Sequence, residues 1–251
     1  MQKKKRVLNK STVIKNSLIT PNLRRLVVDI SNFKHISKSD LGGYIKLSVQ
    51  DSSGEEVLRS ISVASVDEVK GTICLDFVNH GGLGPAATYA RNVEAGDAIS
   101  FYGPGPRRDV DQSLENFILI GDMTAFPAIR VQLELLVEND IKCPVEVILE
   151  AKGVEDFEYF KHLTHRENFN FRFIEGSFTA SELLNKFKEL TLDTSTSKSL
   201  WCAGERLAIN EIRSHLKQLP QISFIDKYTS SYWQCGYTQN EHSLLKKEDK
   251  K

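Results

Sequence analysis

The sequence lacks the features that would direct the protein to nucleic acid or place it in a membrane. Its 33 basic and 33 acidic residues give a formal net charge of zero, so bulk charge does not favour nucleic acid or a membrane surface as a partner. No apolar run approaches the roughly 20 residues that span a bilayer. The basic start, Met1 to Arg6, is not followed by the apolar segment of a secretory signal. We therefore expect a cytoplasmic protein, and we take it to be a monomer.

Cysteine is scarce and widely spaced. None of Cys74, Cys143, Cys202 and Cys235 forms a C-x-x-C pair, and this spacing argues against a zinc or iron–sulfur site. We expect reduced, mostly buried thiols, as in cytosolic proteins, and no metal bound by the protein itself.

The first half of the chain reads as short strands separated by turns such as Gly42-Gly43 and Ala95-Gly96-Asp97. Closely spaced strands with no long helix between them predict an antiparallel β-barrel. The predicted strands cover residues 24–30, 44–50, 57–64, 72–78 and 98–102.

The second half alternates strand-like and helical segments, which predicts a parallel sheet covered by helices. The strands are expected at 116–120, 145–150, 169–175, 200–203 and 222–228, and the helices at 127–137, 181–190 and 205–219. Gly and Pro in residues 103–109 should preclude regular structure and mark the boundary between domains 1–108 and 109–251. Residues 193–199 read as a mobile polar loop, and the tail after Tyr237 as frayed or a short surface helix.

Two stretches of the first half suit a phosphate-bearing ligand. In Arg59-Ser60-Ile61-Ser62, an arginine that can pair with phosphate precedes two hydroxyls on one strand. For the tetrapeptide alone, a half-buried strand with an exposed charge is the better interpretation.

In residues 76–88 a strand enters a glycine-rich turn and then a short helix, whose free amides can receive a pyrophosphate. Gly84 allows close backbone approach there, and Pro85 presets the first helical turn. The stretch is no G-x-x-x-x-G-K-[ST] loop, which disfavours phosphoryl transfer. Alone it is equally an ordinary tight turn, and His80 alone is more often structural than catalytic.

Two further stretches follow predicted parallel strands, where ligands bind in open α/β sheets. These are residues 121–130, beginning Gly121-Asp122-Met123-Thr124-Ala125, and Trp201 to Glu205. Each is also consistent with a simple connection between strand and helix.

Together and in this order, with Tyr232-Trp233 and Gly236 after them, the motifs resemble the siderophore-interacting proteins. These are flavin-dependent ferric-siderophore reductases of the ferredoxin–NADP reductase superfamily. The resemblance runs from about residue 24 to the C-terminus. It implies an FAD-binding barrel, an NAD(P)H-binding-like α/β domain, a ferric siderophore (hydroxamate or catecholate) as substrate, and NAD(P)H or ferredoxin as electron donor. The flavin would carry the redox chemistry, with no catalytic side chain.

The resemblance also implies roles for particular residues. Arg59 and the turn from Gly84 to Thr88 would hold the FAD pyrophosphate, and the strand from Ser60 to Ser62 would face the isoalloxazine. The full set implied to bind FAD is Arg59, Ser60, Ile61, Ser62, Asp76, Phe77, His80, Gly84, Pro85, Ala86 and Thr88. The set implied on the electron-donor side is Asp122, Thr124, Gly204, Glu205 and Trp233.

Basic side chains are expected to receive the bulky, often anionic ferric siderophore. The matching candidates are Lys46, Arg130 and Lys227, each of which is equally consistent with a solvated surface charge.

The sequence departs from the family in three places. Ile61 replaces the usual Tyr and offers no π-stacking on the flavin, Met123 replaces Glu, and Gln234-Cys235 replaces two arginines. The last two leave the electron donor open. Two other functions stay open as well, a general flavin or quinone reductase and a non-enzymatic siderophore-binding module.

Overall fold

The chain divides into two compact units. A computed structural model describes residues 7–79, 84–176, 180–237 and 239–249. The units are Met1–Arg108 and Asp109–Lys251.

The first unit is a closed antiparallel barrel of six strands in the order β1-β2-β5-β4-β3-β6. The strands are β1 (Leu8–Thr20), β2 (Leu23–Asp29), β3 (Tyr44–Gln50), β4 (Glu56–Asp67), β5 (Thr72–Val78) and β6 (Ala98–Gly105). A short 3-10 helix covers Lys38–Asp40, and helix α1 covers Pro85–Asn92. The antiparallel barrel predicted from closely spaced strands is confirmed.

The barrel core is built by alternate side chains of each strand. On β3, for example, Ile45, Leu47 and Val49 are buried, while the residues between them face outward, as period-2 alternation requires. Helix α1 buries Ala87 and Ala90 and contacts β2, β3 and β5, so it packs against the barrel core.

Two features of the barrel differ from the sequence prediction. Strand β1 was not predicted. Strand β6 also continues through Gly103-Pro104-Gly105, where we expected no regular structure. The β3–β6 register shifts between Tyr44 and Lys46, opposite Gly103 and Pro104. Proline has no N–H for the ladder and is tolerated at such an irregularity.

The second unit is a five-stranded parallel sheet in the order β11-β10-β7-β8-β9, which confirms the predicted α/β arrangement. Its strands are β7 (Asn116–Asp122), β8 (Val145–Ala151), β9 (Phe169–Glu175), β10 (Lys198–Glu205) and β11 (Phe224–Trp233). Its helices are α2 (Phe126–Glu138), α3 (Ala180–Lys188), α4 (Arg206–Leu216) and α5 (Gln239–Glu248), with a 3-10 helix at Val154–Phe160. Because all five strands are parallel, their carboxyl ends lie along one edge of the sheet.

The polar loop before β10 is held by a buried lysine. The side chain of Lys198 donates to the carbonyl oxygens of Asp193 and Thr196, and the residue is only 2% exposed. A mobile loop was predicted from composition, which does not reveal this anchor.

No helix among the residues that the structure describes is long and apolar enough to cross a membrane.

Candidate functional site

Strands β4 and β5 separate where the first motif lies. The two strands pair from Val63↔Leu75 to Asp67↔Thr72. Residues 59–62 of β4 pair with β3, and residues 76–78 of β5 pair with β2. The edge of β4 at residues 59–62 therefore has no β5 partner. This leaves a gap in the β4–β5 ladder, where a ligand can approach the main chain of β4.

The four residues of the first motif point to opposite faces of β4. Arg59 lies opposite Leu47 and Ile61 opposite Ile45, so both share the face of the barrel core. Ser60 and Ser62 lie on the other face, and Ser60 Oγ accepts a hydrogen bond from Lys46 Nζ. The strand from Ser60 to Ser62 was expected to face the isoalloxazine, and the structure puts the side chains of these two serines on the face opposite to Arg59 and Ile61.

Arg59 is a half-buried cation. Its Nη1 donates to the carbonyl of Leu58 at 3.0 Å, and burial lowers its pKa, opposed by the charge of Asp51. Within the described ranges no carboxylate lies within ion-pair distance of Arg59. An arginine stays protonated under such conditions, so this partly desolvated charge fits the diphosphate of FAD.

The N-terminus of α1 supplies a second group suited to a phosphate. Gly84 is its N-cap and provides no side-chain hydrogen bond, and Pro85 is the first helical residue. Uncapped first-turn amides and the helix dipole favour an anion. Ala86 and Thr88 belong to this first turn, and Thr88 Oγ1 accepts from Arg91 Nη2 at 3.1 Å. His80 lies outside the described residues.

Asp76 and Phe77, both predicted to line the cofactor, have partners inside the barrel unit. Arg25 on β2 donates to both carboxylate oxygens of Asp76, at 2.7 and 2.8 Å, and the Asp76 side chain has no exposed surface. Phe77 belongs to the barrel core and is 4% exposed, which leaves little of its ring for a surface ligand. Arg25 was not predicted for this site, because only the antiparallel register brings it opposite Asp76.

In the second unit, the residues predicted for the electron-donor side meet at the carboxyl edge of the sheet. Thr124 donates to Asp122 Oδ1 from its backbone N at 2.8 Å and from its hydroxyl at 2.5 Å. The other oxygen, Oδ2, accepts from Glu205 N at 2.7 Å and from Trp233 Nε1 at 2.8 Å. One carboxylate thus ties together the ends of β7, β10 and β11.

Glu205 and Gly204 complete this cluster. The Glu205 carboxylate caps α4 by accepting from the amides of Leu207 and Ala208, and it accepts from Cys235 N at 3.3 Å. A side chain at position 204 would place its Cβ 2.6 Å from Asp122 Oδ2. Glycine is therefore required for Asp122 to approach the main chain of β10 so closely.

Asp122 is buried, with only 1% of the residue exposed. Desolvation by burial raises its pKa, and the hydrogen bonds from Thr124, Trp233 and Glu205 act in the opposite direction. A buried carboxylate with four donors at the ligand-binding edge of an α/β sheet is typical of a positioned functional group or of a structural tie.

The three basic residues predicted to receive the substrate differ in environment. Lys227 is exposed on the edge strand β11. Lys46 is half-buried and lies 5.4 Å from the centre of the Tyr44 ring. Arg130 is the exception, because it is buried, lies over the Tyr159 ring and is 3.4 Å from Glu134 Oε1. Its burial against an aromatic ring argues against a surface docking role.

Known proteins share both units of this chain. The family described as "Siderophore-interacting protein" matches residues 114–236, and the "Siderophore-interacting FAD-binding domain" matches residues 48–108. The chain is 28% identical over 196 residues to the mycobactin import ATP-binding/permease protein IrtA of Mycolicibacterium thermoresistibile, covering 74% of this chain and 20% of that protein. It is 22% identical over 201 residues to the ferric acinetobactin reductase of Acinetobacter baumannii, covering 77% of this chain and 66% of that protein.

The architecture is also that of a solved siderophore-interacting protein, SipS from Aeromonas hydrophila. The two superpose with a TM-score of 0.80 at 21% identity, covering 97% of this chain and 98% of SipS. The match covers both the barrel and the parallel sheet. With an FAD-binding domain matched in the barrel and the siderophore-interacting domain matched in the α/β unit, the chain belongs to the siderophore-interacting protein family.

Proposed function

We propose that the protein is a ferric-siderophore reductase that binds FAD and delivers electrons to siderophore-chelated Fe(III). The observation that carries the proposal is the gap between β4 and β5, with the half-buried Arg59 beside it, inside the region matched by the family's FAD-binding domain. The relative from Acinetobacter baumannii, by its name, reduces ferric acinetobactin.

FAD would be held by charge and by main-chain groups. Arg59 and the first turn of α1, from Gly84 to Thr88, would bind the diphosphate. Ile61 shares the face of Arg59 and would cover the ring system without π-stacking. The unpaired edge of β4 would supply backbone donors and acceptors to the isoalloxazine. Ser60 and Ser62 would then contribute to FAD binding through their backbone groups. Asp76 and Phe77 would contribute indirectly, by holding β5 in place.

When bound, FAD would supply the electron-transfer chemistry from the donor to chelated Fe(III). Hydroxamate and catecholate oxygens are hard ligands that bind Fe(II) far less well than Fe(III), so reduction releases the metal. The protein's own residues need to bind and orient FAD and to attract the ferric siderophore. Lys46 and Lys227 are the accessible cations proposed to attract an anionic ferric complex.

The electron donor is proposed to be a pyridine dinucleotide bound at the carboxyl edge of the parallel sheet. Asp122, Thr124, Gly204, Glu205 and Trp233 converge there, and this edge is where open α/β sheets bind dinucleotides. Stopped-flow mixing with NADH and with NADPH tests this choice. If neither reduces the flavin, ferredoxin becomes the donor to test.

The reductase activity is tested by reducing the flavin with light under anaerobic conditions and then adding a ferric hydroxamate. Reoxidation faster than in the iron-free sample supports the proposal. Equal rates in the two samples would overturn it, and a preparation that binds no flavin would overturn the FAD assignment.

A further inference from the structure

The C-terminal helix α5 is fastened to the carboxyl edge of the sheet by charged side chains. Lys246 donates to Ser230 Oγ at 2.8 Å and to the Ser231 carbonyl at 2.7 Å, both on β11. Asp249, directly after the helix, accepts from Arg206. Leu244 of α5 is 62% exposed and adds little apolar attachment, whereas His242 is buried at 3% exposure and packs the helix against the unit. Polar fastening of this kind can be exchanged for other polar partners.

Three side chains of α4 converge on the Asp249 carboxylate. Arg206 donates from Nη2 at 2.6 Å and from Nε at 2.9 Å, one to each oxygen. Asn210 Nδ2 lies 3.4 Å from Oδ1, and Arg213 Nη1 lies 3.9 Å from Oδ2. The hydrogen bond from Arg206 is the main reason that the pKa of Asp249 is lowered. The paired geometry of Arg206 is the one that a guanidinium offers to a carboxylate or a phosphate.

All three side chains are also held by residues outside α5, and for Arg206 the partner is Gln234, whose Oε1 accepts from Nη1 at 3.4 Å. Arg213 donates from Nε to Thr229 Oγ1 and from Nη2 to the Thr229 carbonyl, both at 2.9 Å. Its Nη1 donates to Asn210 Oδ1 at 2.8 Å. Both members of the basic pair would therefore keep contacts if α5 moved away, Arg213 with Thr229 and Arg206 with Gln234. Arg206 is the first residue of α4 and follows Glu205 at the end of β10, beside the Asp122 cluster.

We propose that Arg206, Asn210 and Arg213 form a binding site for the phosphate groups of the dinucleotide donor, and that Asp249 occupies this site as an internal competitor. The inference rests on the proposed function, because it takes a pyridine dinucleotide as the donor. Donor binding displaces the Asp249 carboxylate and releases α5. The apparent affinity of the donor is therefore its intrinsic affinity multiplied by the fraction of molecules in which the site is open.

The test uses the full-length protein and ADP as the probe, because ADP carries a diphosphate and no redox group. Isothermal titration calorimetry should show ADP binding about tenfold more tightly to the Asp249→Asn variant than to the unmodified protein, as expected for a site otherwise open in roughly a tenth of molecules. Asp140→Asn is the matched control, because Asp140 is 81% exposed on a turn of the same unit. Arg206→Gln added to Asp249→Asn should abolish the gain.

Equal affinity in Asp249→Asn and Asp140→Asn would overturn the proposal, as would a gain that survives Arg206→Gln. A measurement on the unmodified protein guards against a misfolded variant, since saturating ADP should increase hydrogen exchange in α5. Unchanged exchange at saturation would also overturn it. Reoxidation of photoreduced flavin by ferric hydroxamate needs no donor, so in the unmodified protein it tests the reductase separately from ADP binding. Failure of that reaction would count against the reductase and leave the ADP result standing.

Discussion

Trp233, at the end of the edge strand β11, donates its indole N–H to Asp122 Oδ2 at 2.8 Å, across the intervening strand β10. The same oxygen accepts the amide of Glu205 at 2.7 Å. A single buried carboxylate therefore fixes the relative positions of three strand ends at the edge where we place the electron donor. Two predictions follow from that relationship.

Removing the indole donor should destabilise the second unit. Trp233→Phe leaves a lone pair of a buried carboxylate without its partner, which typically costs about 1–3 kcal/mol. Urea denaturation should show a loss in this range. Tyr237→Phe, at an aromatic residue that is 51% exposed, should change the free energy of unfolding by less than about 0.5 kcal/mol. Equal effects of the two substitutions would show that the hydrogen bond contributes nothing.

The raised pKa of Asp122 makes its contribution dependent on pH. Because burial raises the pKa in the folded protein above the ordinary value of 3.8, the folded state binds this proton more readily than the unfolded state. Lowering the pH toward that value should therefore favour the folded unmodified protein relative to Asp122→Asn, which has no proton to bind.

Unfolding free energies of the two proteins, measured at about pH 7 and about pH 4.5, check this sign. The difference between them should move in favour of the unmodified protein at the lower pH, by at most about 1.4 kcal/mol for each unit by which the two pKa values differ. A difference that is constant with pH, or that moves the other way, would contradict a raised pKa.

The pair of Arg25 and Asp76 should control flavin binding indirectly. Arg25→Gln leaves a fully buried carboxylate without its bidentate partner, and breaking such a pair typically costs about 3–5 kcal/mol. We expect a loss toward the lower end, since the Arg25 side chain is 23% exposed. FAD affinity should fall with it, because β5 leads to α1.

The double variant Arg25→Gln with Asp76→Asn removes both charges and should recover most of the stability and of the FAD affinity. This rescue separates a positioning role from direct contact. If FAD affinity stays low when stability returns, one of the two side chains contacts the cofactor itself.

Arg59 should contribute directly to FAD affinity. Arg59→Gln removes a charge-assisted contact to the diphosphate, worth about 1.5–3 kcal/mol, so the dissociation constant should rise roughly tenfold to a hundredfold. Fluorescence titration of the flavin-free protein with FAD measures it. Arg166→Gln, at an exposed residue of the second unit, is the matched control and should leave FAD affinity unchanged. An Arg59→Gln protein with normal affinity would remove Arg59 from the site.

The architecture could be predicted to the extent that burial leaves a pattern in the sequence. Strand β3 alternates apolar and polar residues, and its predicted bounds are those observed. Strand β1 was missed because it shows no such alternation. Ile14 and Leu18 are exposed there, while Asn9 and Thr20 are among its buried residues. The apolar residues of β1 therefore do not mark its buried face.

Parts of the candidate site could be predicted as well. Asp122 and Glu205 end parallel strands, so their convergence follows from topology. The pairing of Arg25 with Asp76 depends on the antiparallel register of β2 and β5, which composition does not determine. The contact of Arg206 with Asp249 depends on how the C-terminal helix folds back. The opposite orientations of Arg59 and Ser60 do follow from strand periodicity, although the motif as a whole suggested one ligand-facing surface.

Electron transfer from bound flavin to a chelated ferric ion is measured by comparing a ferric complex with a redox-inert one. The photoreduced holoprotein is mixed anaerobically with a ferric hydroxamate and, in parallel, with the gallium complex of the same hydroxamate, which matches it in charge and size but accepts no electron. For a ferric-siderophore reductase, the absorbance of oxidised flavin near 450 nm, roughly its usual position, should return only with iron, while an Fe(II) chelator in the solution develops its colour. If flavin reoxidation with the ferric complex is no faster than with the gallium complex, the protein is not a ferric-siderophore reductase.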